Sequence, residues 1–216
     1  LLDWFSWETA TTPRVYKWKR DHHDNRDAYH DFKPQTAALF MDSGPTKVDL
    51  RDQCPAVYDQ GALGSCTANA IGGAIEYDQK KQNETLFVPA RLFIYWNERN
   101  MEGSVGEDAG AQIRDGIKSI NSLGVCPETE WPYDISKFTK KPSEGCYKDA
   151  LLRKSLEYKR VLQDVGHMRE CLKTKLPFVF GFVVFPSFED KSVVETGDWG
   201  GPTEDDLKKG PLGGHA

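Results

Sequence analysis

Gln60, Cys66 and His215 have the residue types and the spacing needed for acyl-transfer chemistry. Cys66 lies in the run YDQGALGSCTANAIGGAIEY, residues 58 to 77, where a turn-rich stretch delivers one thiol to the start of a helical pattern. The thiolate is the nucleophile, and a free cysteine of pKa ~8.5 is only partly ionised at neutral pH. A helix N-terminus offers unpaired N–H groups and about half a positive charge, and both favour the anion. Attack on a peptide carbonyl also builds an oxyanion, which needs donors placed in advance. The Cys66 N–H is one, and the side-chain amide of Gln60, upstream across GALGS, is the other. A histidine completes the set by taking the thiol proton and returning it to the leaving amine.

These groups must be held by folded elements, which the apolar spacing predicts. Ala68, Ile71, Ala74 and Ile75 recur at helical intervals after Ser65, whose hydroxyl is suited to cap the new helix. A second helix is predicted at PARLFIYWNERNM, with Pro89 in the first helical position, and a third at GAQIRDGIKSINSLG, stopped by Gly124. Beyond residue 150 the pattern changes: SLEYKRVL reads as extended, VGHMRECLKTKL as a short helix closed by Pro177, and FVFGFVVF as a buried strand. Helices followed by strands give an α+β chain rather than alternating βαβ units. Residues 1 to 46 are dense in both signs of charge and interrupted by Pro13, Pro34 and Pro45, so they read as a weakly structured arm before a folded unit at 47 to 216.

QGALGSCTANA resembles the nucleophile motif of the papain-like (C1) cysteine peptidases, in which a glutamine lies six residues before the cysteine. PLGGHA, residues 211 to 216, resembles the segment around that family's histidine, and GVCPETEWPY is similar to the stretch that closes its helical lobe. The resemblance implies a two-lobe fold: a helical lobe at about 60 to 135, and a β-barrel-like lobe at about 150 to 216. It implies Cys66 as nucleophile, His215 as general base and acid, and Gln60 as oxyanion donor. Gly64, Ser65 and Gly214, which flank the two motifs, become substrate-binding candidates. GSVGEDAG occupies the place of the family's cleft-lining glycine loop, and this adds Asp108 and Gly110.

The sequence departs from the family in several places. Leu63 and Thr67 stand where a cysteine and an aromatic residue are usual, as in divergent bacterial or viral members. The asparagine that orients the family's histidine and the remaining barrel strands do not follow His215, so residues 1 to 216 are expected to be a fragment: either a second chain supplies the rest as a partner, or this sequence omits it. Residues 1 to 46 are expected to act as a propeptide-like arm over the cleft.

Composition narrows the classes. A net charge of −5 gives no basic field for nucleic acid, and FVFGFVVF is too short to span a membrane. The five cysteines form no CxxC pair, so no structural zinc, other metal or cofactor is expected, and His22 and His23 read as part of the charged arm. The implied function is a cysteine endopeptidase acting on peptide or protein substrates, made as a zymogen. Its rivals are a catalytically silent papain-like binding or structural protein, and an acyl transferase using amines. The compartment is left open.

Overall fold

In the computed structural model, which describes residues 14–30, 47–155 and 157–216, the first long helix begins at the cysteine itself. Helix α1 spans Cys66–Gln82, buries Ala68, Ile71 and Tyr77, and ends at Asn83, whose left-handed backbone suits a helix stop. The predicted Ser65 cap is not made. The serine hydroxyl is claimed instead by Tyr133 at 2.6 Å and Asn69 at 3.0 Å.

Helix α2, Arg91–Met101, starts two residues later than Pro89 predicted. Pro89 bridges to Pro127, and the Ala90 N–H is spent on the Cys126 carbonyl at 2.9 Å, so the chain stays extended until Arg91. Every residue from Arg91 to Arg99 is buried, which makes α2 the centre of the lobe. Helix α3, Ile113–Leu123, ends at Gly124 as predicted. Gly124 has φ 77°, and a Cβ there would stand 1.7 Å from the Ala150 carbonyl oxygen, so both conformation and space require glycine.

Helices α1, α2 and α3 pack on one another around Leu63, Phe93, Tyr95 and Ile120. Burying each such large apolar side chain contributes about 1.5–3 kcal/mol. None of the described helices is long and apolar enough to cross a membrane.

The second half is built from short pieces. Helix α4 (Glu144–Ala150) is capped by Ser143, and α5 (Val165–Lys173) by Asp164. The α5 span fits the predicted short helix. Strand β3 (Phe182–Val184) is followed by helices α6 (Lys191–Thr196) and α7 (Glu204–Lys209), then by strand β4 (Gly213–His215). Thr203 and Asp206 form a reciprocal capping box on α7.

Two strand expectations are corrected. Among the described residues, the 155 to 162 stretch contributes only an isolated bridge, Arg160 to Tyr29, and FVFGFVVF contracts to a three-residue strand. β3 pairs antiparallel with β4, Phe182 opposite His215, in a two-stranded sheet. With one strand neighbour the run is not buried throughout: Phe180 is 56% exposed and Val183 46%.

Of the predicted arm, residues 1–13 and 31–46 lie outside the described residues. Residues 14–30 run between the two halves and are pinned to both. Strand β1, Trp18–Lys19, pairs in parallel with β2, Ala111–Gln112, while Lys17 bridges to Gly214. Arg114 of α3 pairs with Asp27, Lys118 with Asp24 at 3.3 Å, and Arg160 with Asp27 at 3.2 Å.

Candidate active site

The loop before α1 fixes the geometry of the site. Asp59 accepts the Gly61 N–H at 2.8 Å in a tight turn, and Gly61 takes φ 59°, a left-handed value that suits glycine. The Gln60 amide then folds back over the loop. Its Nε2 donates to the Leu63 carbonyl at 3.0 Å and, outward, to the Val15 carbonyl of the arm at 3.2 Å. A peptide carbonyl therefore already sits on the amide expected to serve the oxyanion.

Tyr133, within the WPY of the lobe-closing motif, was not among the sequence candidates, yet it braces the whole loop. Its hydroxyl donates to the Gln60 carbonyl at 2.9 Å and so must accept from Ser65 Oγ at 2.6 Å. The Arg91 guanidinium stacks on Tyr58 and Tyr133, 4.3 and 4.0 Å from the ring centroids, and pairs with Glu128 at 2.8 Å. Only the WPY motif itself pointed towards this residue.

Cys66 is the first residue of α1 and 1% exposed. Against the expected lowering at a helix N-terminus, its thiol pKa is pushed up, first of all by burial. Hydrogen bonds with the backbone of Ala216 and Lys17 pull the other way without winning. Glu98 of α2 adds to the rise. That carboxyl is fully buried, accepts from Thr67 Oγ1 at 2.8 Å, and is held well above the usual carboxylate range by burial. Its other oxygen has no partner among the described residues and faces Gly116, where a Cβ would stand 2.2 Å away.

His215 stands on β4, with its ring edge-on to Tyr16 at 5.5 Å and Phe182 at 5.9 Å. Burial, helped by Arg14, lowers its pKa. Its Nδ1 is buried and finds no hydrogen-bond partner among the described residues. The backbone of Ala216, next to His215, hydrogen-bonds with Cys66, and Cys66 and His215 are both biased to their neutral forms.

Four of the five substrate-binding candidates meet the arm. A Cβ on Gly110 would lie 1.8 Å from the Lys17 carbonyl oxygen, one on Gly64 2.6 Å from Lys17 Cδ, and one on Gly214 2.5 Å from the Trp18 carbonyl oxygen. Asp108 Oδ2 pairs with Lys17 Nζ at 2.7 Å. Ser65 is the exception, fully buried and turned towards Tyr133 and Asn69. Glycines on both walls leave a slot as wide as one extended backbone. Beside it, Gln60, Asn69, Phe180 and His215 line a cavity of about 460 Å³.

Spacing alone also missed a cluster of possible metal ligands. Cys126, Glu130 and Cys146 bring their ligand atoms within 4.8 Å of one another. Both cysteines are buried, and burial, reinforced by Cys146, raises the Cys126 thiol.

The chain is 40% identical over 230 residues to the uncharacterized peptidase C1-like protein L477 of Acanthamoeba polyphaga mimivirus; the alignment covers 97% of this chain and 73% of that protein. Among solved structures it is similar to xylellain, a cysteine protease from Xylella fastidiosa, with TM-score 0.78 and 42% identity over 93% of this chain and 76% of the other. No family model matches the chain.

Proposed function

The chain belongs to the papain-like C1 peptidase family, and on that premise we propose that it is a cysteine endopeptidase whose residues 14–30 cover the cleft as a latency segment. The observation that carries this reading is an extended polypeptide laid over Cys66 between glycine walls, with its Val15 carbonyl on Gln60. A substrate peptide would take that path once the arm leaves.

The Cys66 thiol passes its proton to His215, and the sulfur bonds to the scissile carbonyl carbon. The oxyanion is held by the Cys66 N–H and Gln60 Nε2. Collapse breaks the C–N bond, and His215 gives its proton to the departing amine. Water then attacks the thioester carbonyl while His215 takes one of its protons, collapse breaks the C–S bond, His215 returns that proton to the sulfur, and the acid product leaves and ionises to the carboxylate. The neutral thiol and imidazole fit the covered state, because displacing the arm rehydrates both groups and removes the main cause of their shifts.

The unpartnered His215 Nδ1 favours a second reading, a catalytically silent papain-like protein. Cleavage of an internally quenched peptide, read by mass spectrometry, separates the two. Trp18→Ala removes the ring packed over Gly181 and loosens the arm. It should cleave at least about tenfold faster than the wild type, and Trp18→Ala/Cys66→Ala should not cleave at all. A folded Trp18→Ala protein with no turnover and no Cys66 adduct with a peptidyl epoxide would leave the silent reading standing.

A further inference from the structure

The arm meets the helical lobe with a repeating charge pattern, a lysine at every second residue over 17 to 19. Lys17 and Lys19, two residues apart on an extended chain, project to the same wall. Lys17 Nζ donates to the Asp108 carbonyl at 2.6 Å and to its Oδ2 at 2.7 Å, while Lys19 Nζ donates to Glu102 Oε2 at 2.7 Å.

Both carboxylates are fixed by the lobe itself. Asp108 Oδ1 accepts the Gly64 N–H at 3.0 Å and the Tyr95 hydroxyl at 2.5 Å; Glu102 Oε1 accepts the Gln112 N–H at 2.8 Å. Glu102 stands at the C-terminal end of α2, where the helix dipole opposes an anion and a cation is needed beside it. The Lys17 backbone lies against Cys66, and Asp108 itself holds the N–H of Gly64, two residues before Cys66.

We propose that this acidic pair is a specificity rail: the peptidase selects peptides with Lys or Arg at two positions separated by one residue, one of them next to the scissile bond. The pattern reads the same in either chain direction. The inference rests on the peptidase reading above and names its substrate class.

The test uses full-length Trp18→Ala protein and two internally quenched peptides that differ only in Lys-Ala-Lys against its uncharged isostere, norleucine-Ala-norleucine. The expected kcat/KM ratio is at least about tenfold in favour of lysine, falling with added salt. Asp108→Asn and Glu102→Gln should each reduce the ratio several-fold. Protection of Cys66 from epoxide labelling by each peptide gives a second readout that needs no turnover, and the lysine peptide should protect at lower concentration. Equal kcat/KM, or equal protection, overturns the rail and leaves the peptidase intact. Absence of turnover and of any Cys66 adduct overturns the peptidase reading, and the rail with it.

Discussion

At the residue scale the proposed chemistry rests on side-chain types at fixed separations along the chain. Gln60 lies six residues before Cys66, in the loop that leads into α1, and His215 sits in its own short motif. Their protonation was not legible, because burial is set by everything folded around them. The raised thiol and the lowered imidazole give a signed expectation. The alkylation rate of Cys66 by iodoacetamide should rise only at alkaline pH in the wild type, and its inflection should move to lower pH in Trp18→Ala. An unchanged profile would mean that the arm is not what buries the thiol. Glu98 gives a second expectation. A buried carboxyl whose folded pKa exceeds its unfolded value of about 4.3 binds its proton more tightly when folded, so stability is lost as pH rises from there towards the folded value. The wild-type thermal midpoint should therefore fall across that interval, and Glu98→Gln should flatten the fall by roughly a few degrees. Parallel curves would show that Glu98 does not titrate on unfolding.

At the element scale the helices were read well, since α1 and α3 declare themselves by apolar period and α3 also by its stop at Gly124, whereas the left-handed stop of α1 at Asn83 came only with the structure. The errors came where tertiary partners took over a local signal. Ser65 gave its hydroxyl to Tyr133 rather than to the helix, and the Ala90 N–H went to Cys126, which delayed α2. An apolar run such as FVFGFVVF cannot say how many strand neighbours it has, and among the described residues it has one. The cleft glycines carry the next expectation. Gly110 has φ 68° and no room for a Cβ beside the arm's backbone. Gly110→Ala should displace the arm, seen as faster tryptic cleavage at residues 17–20. It should also lower peptide turnover about tenfold or more below Trp18→Ala, because the substrate needs the same space. Faster turnover than Trp18→Ala would mean that substrates take another path.

At the scale of the whole molecule, the proposed latency would be a competition between one polypeptide already in place and another arriving. The arm is held by strand pairing at Trp18 and Lys19, by ion pairs from Lys17 to Asp108 and from Arg114 to Asp27, and by its fit between Gly110 and Gly214. Charge density and prolines made the arm look weakly structured, and its described part, residues 14–30, takes its order from the cleft and so carries no periodicity of its own. The central claim is that Cys66 is an activated nucleophile covered by this arm. The most direct measurement is the intact mass of wild-type and Trp18→Ala protein after brief exposure to a peptidyl epoxide, with the modified peptide mapped. The expected result is one adduct on Cys66, formed at least about tenfold faster in Trp18→Ala and absent from Cys66→Ala. Equal labelling of the buried Cys126, Cys146 and Cys171, or no adduct on a folded Trp18→Ala protein, would contradict it.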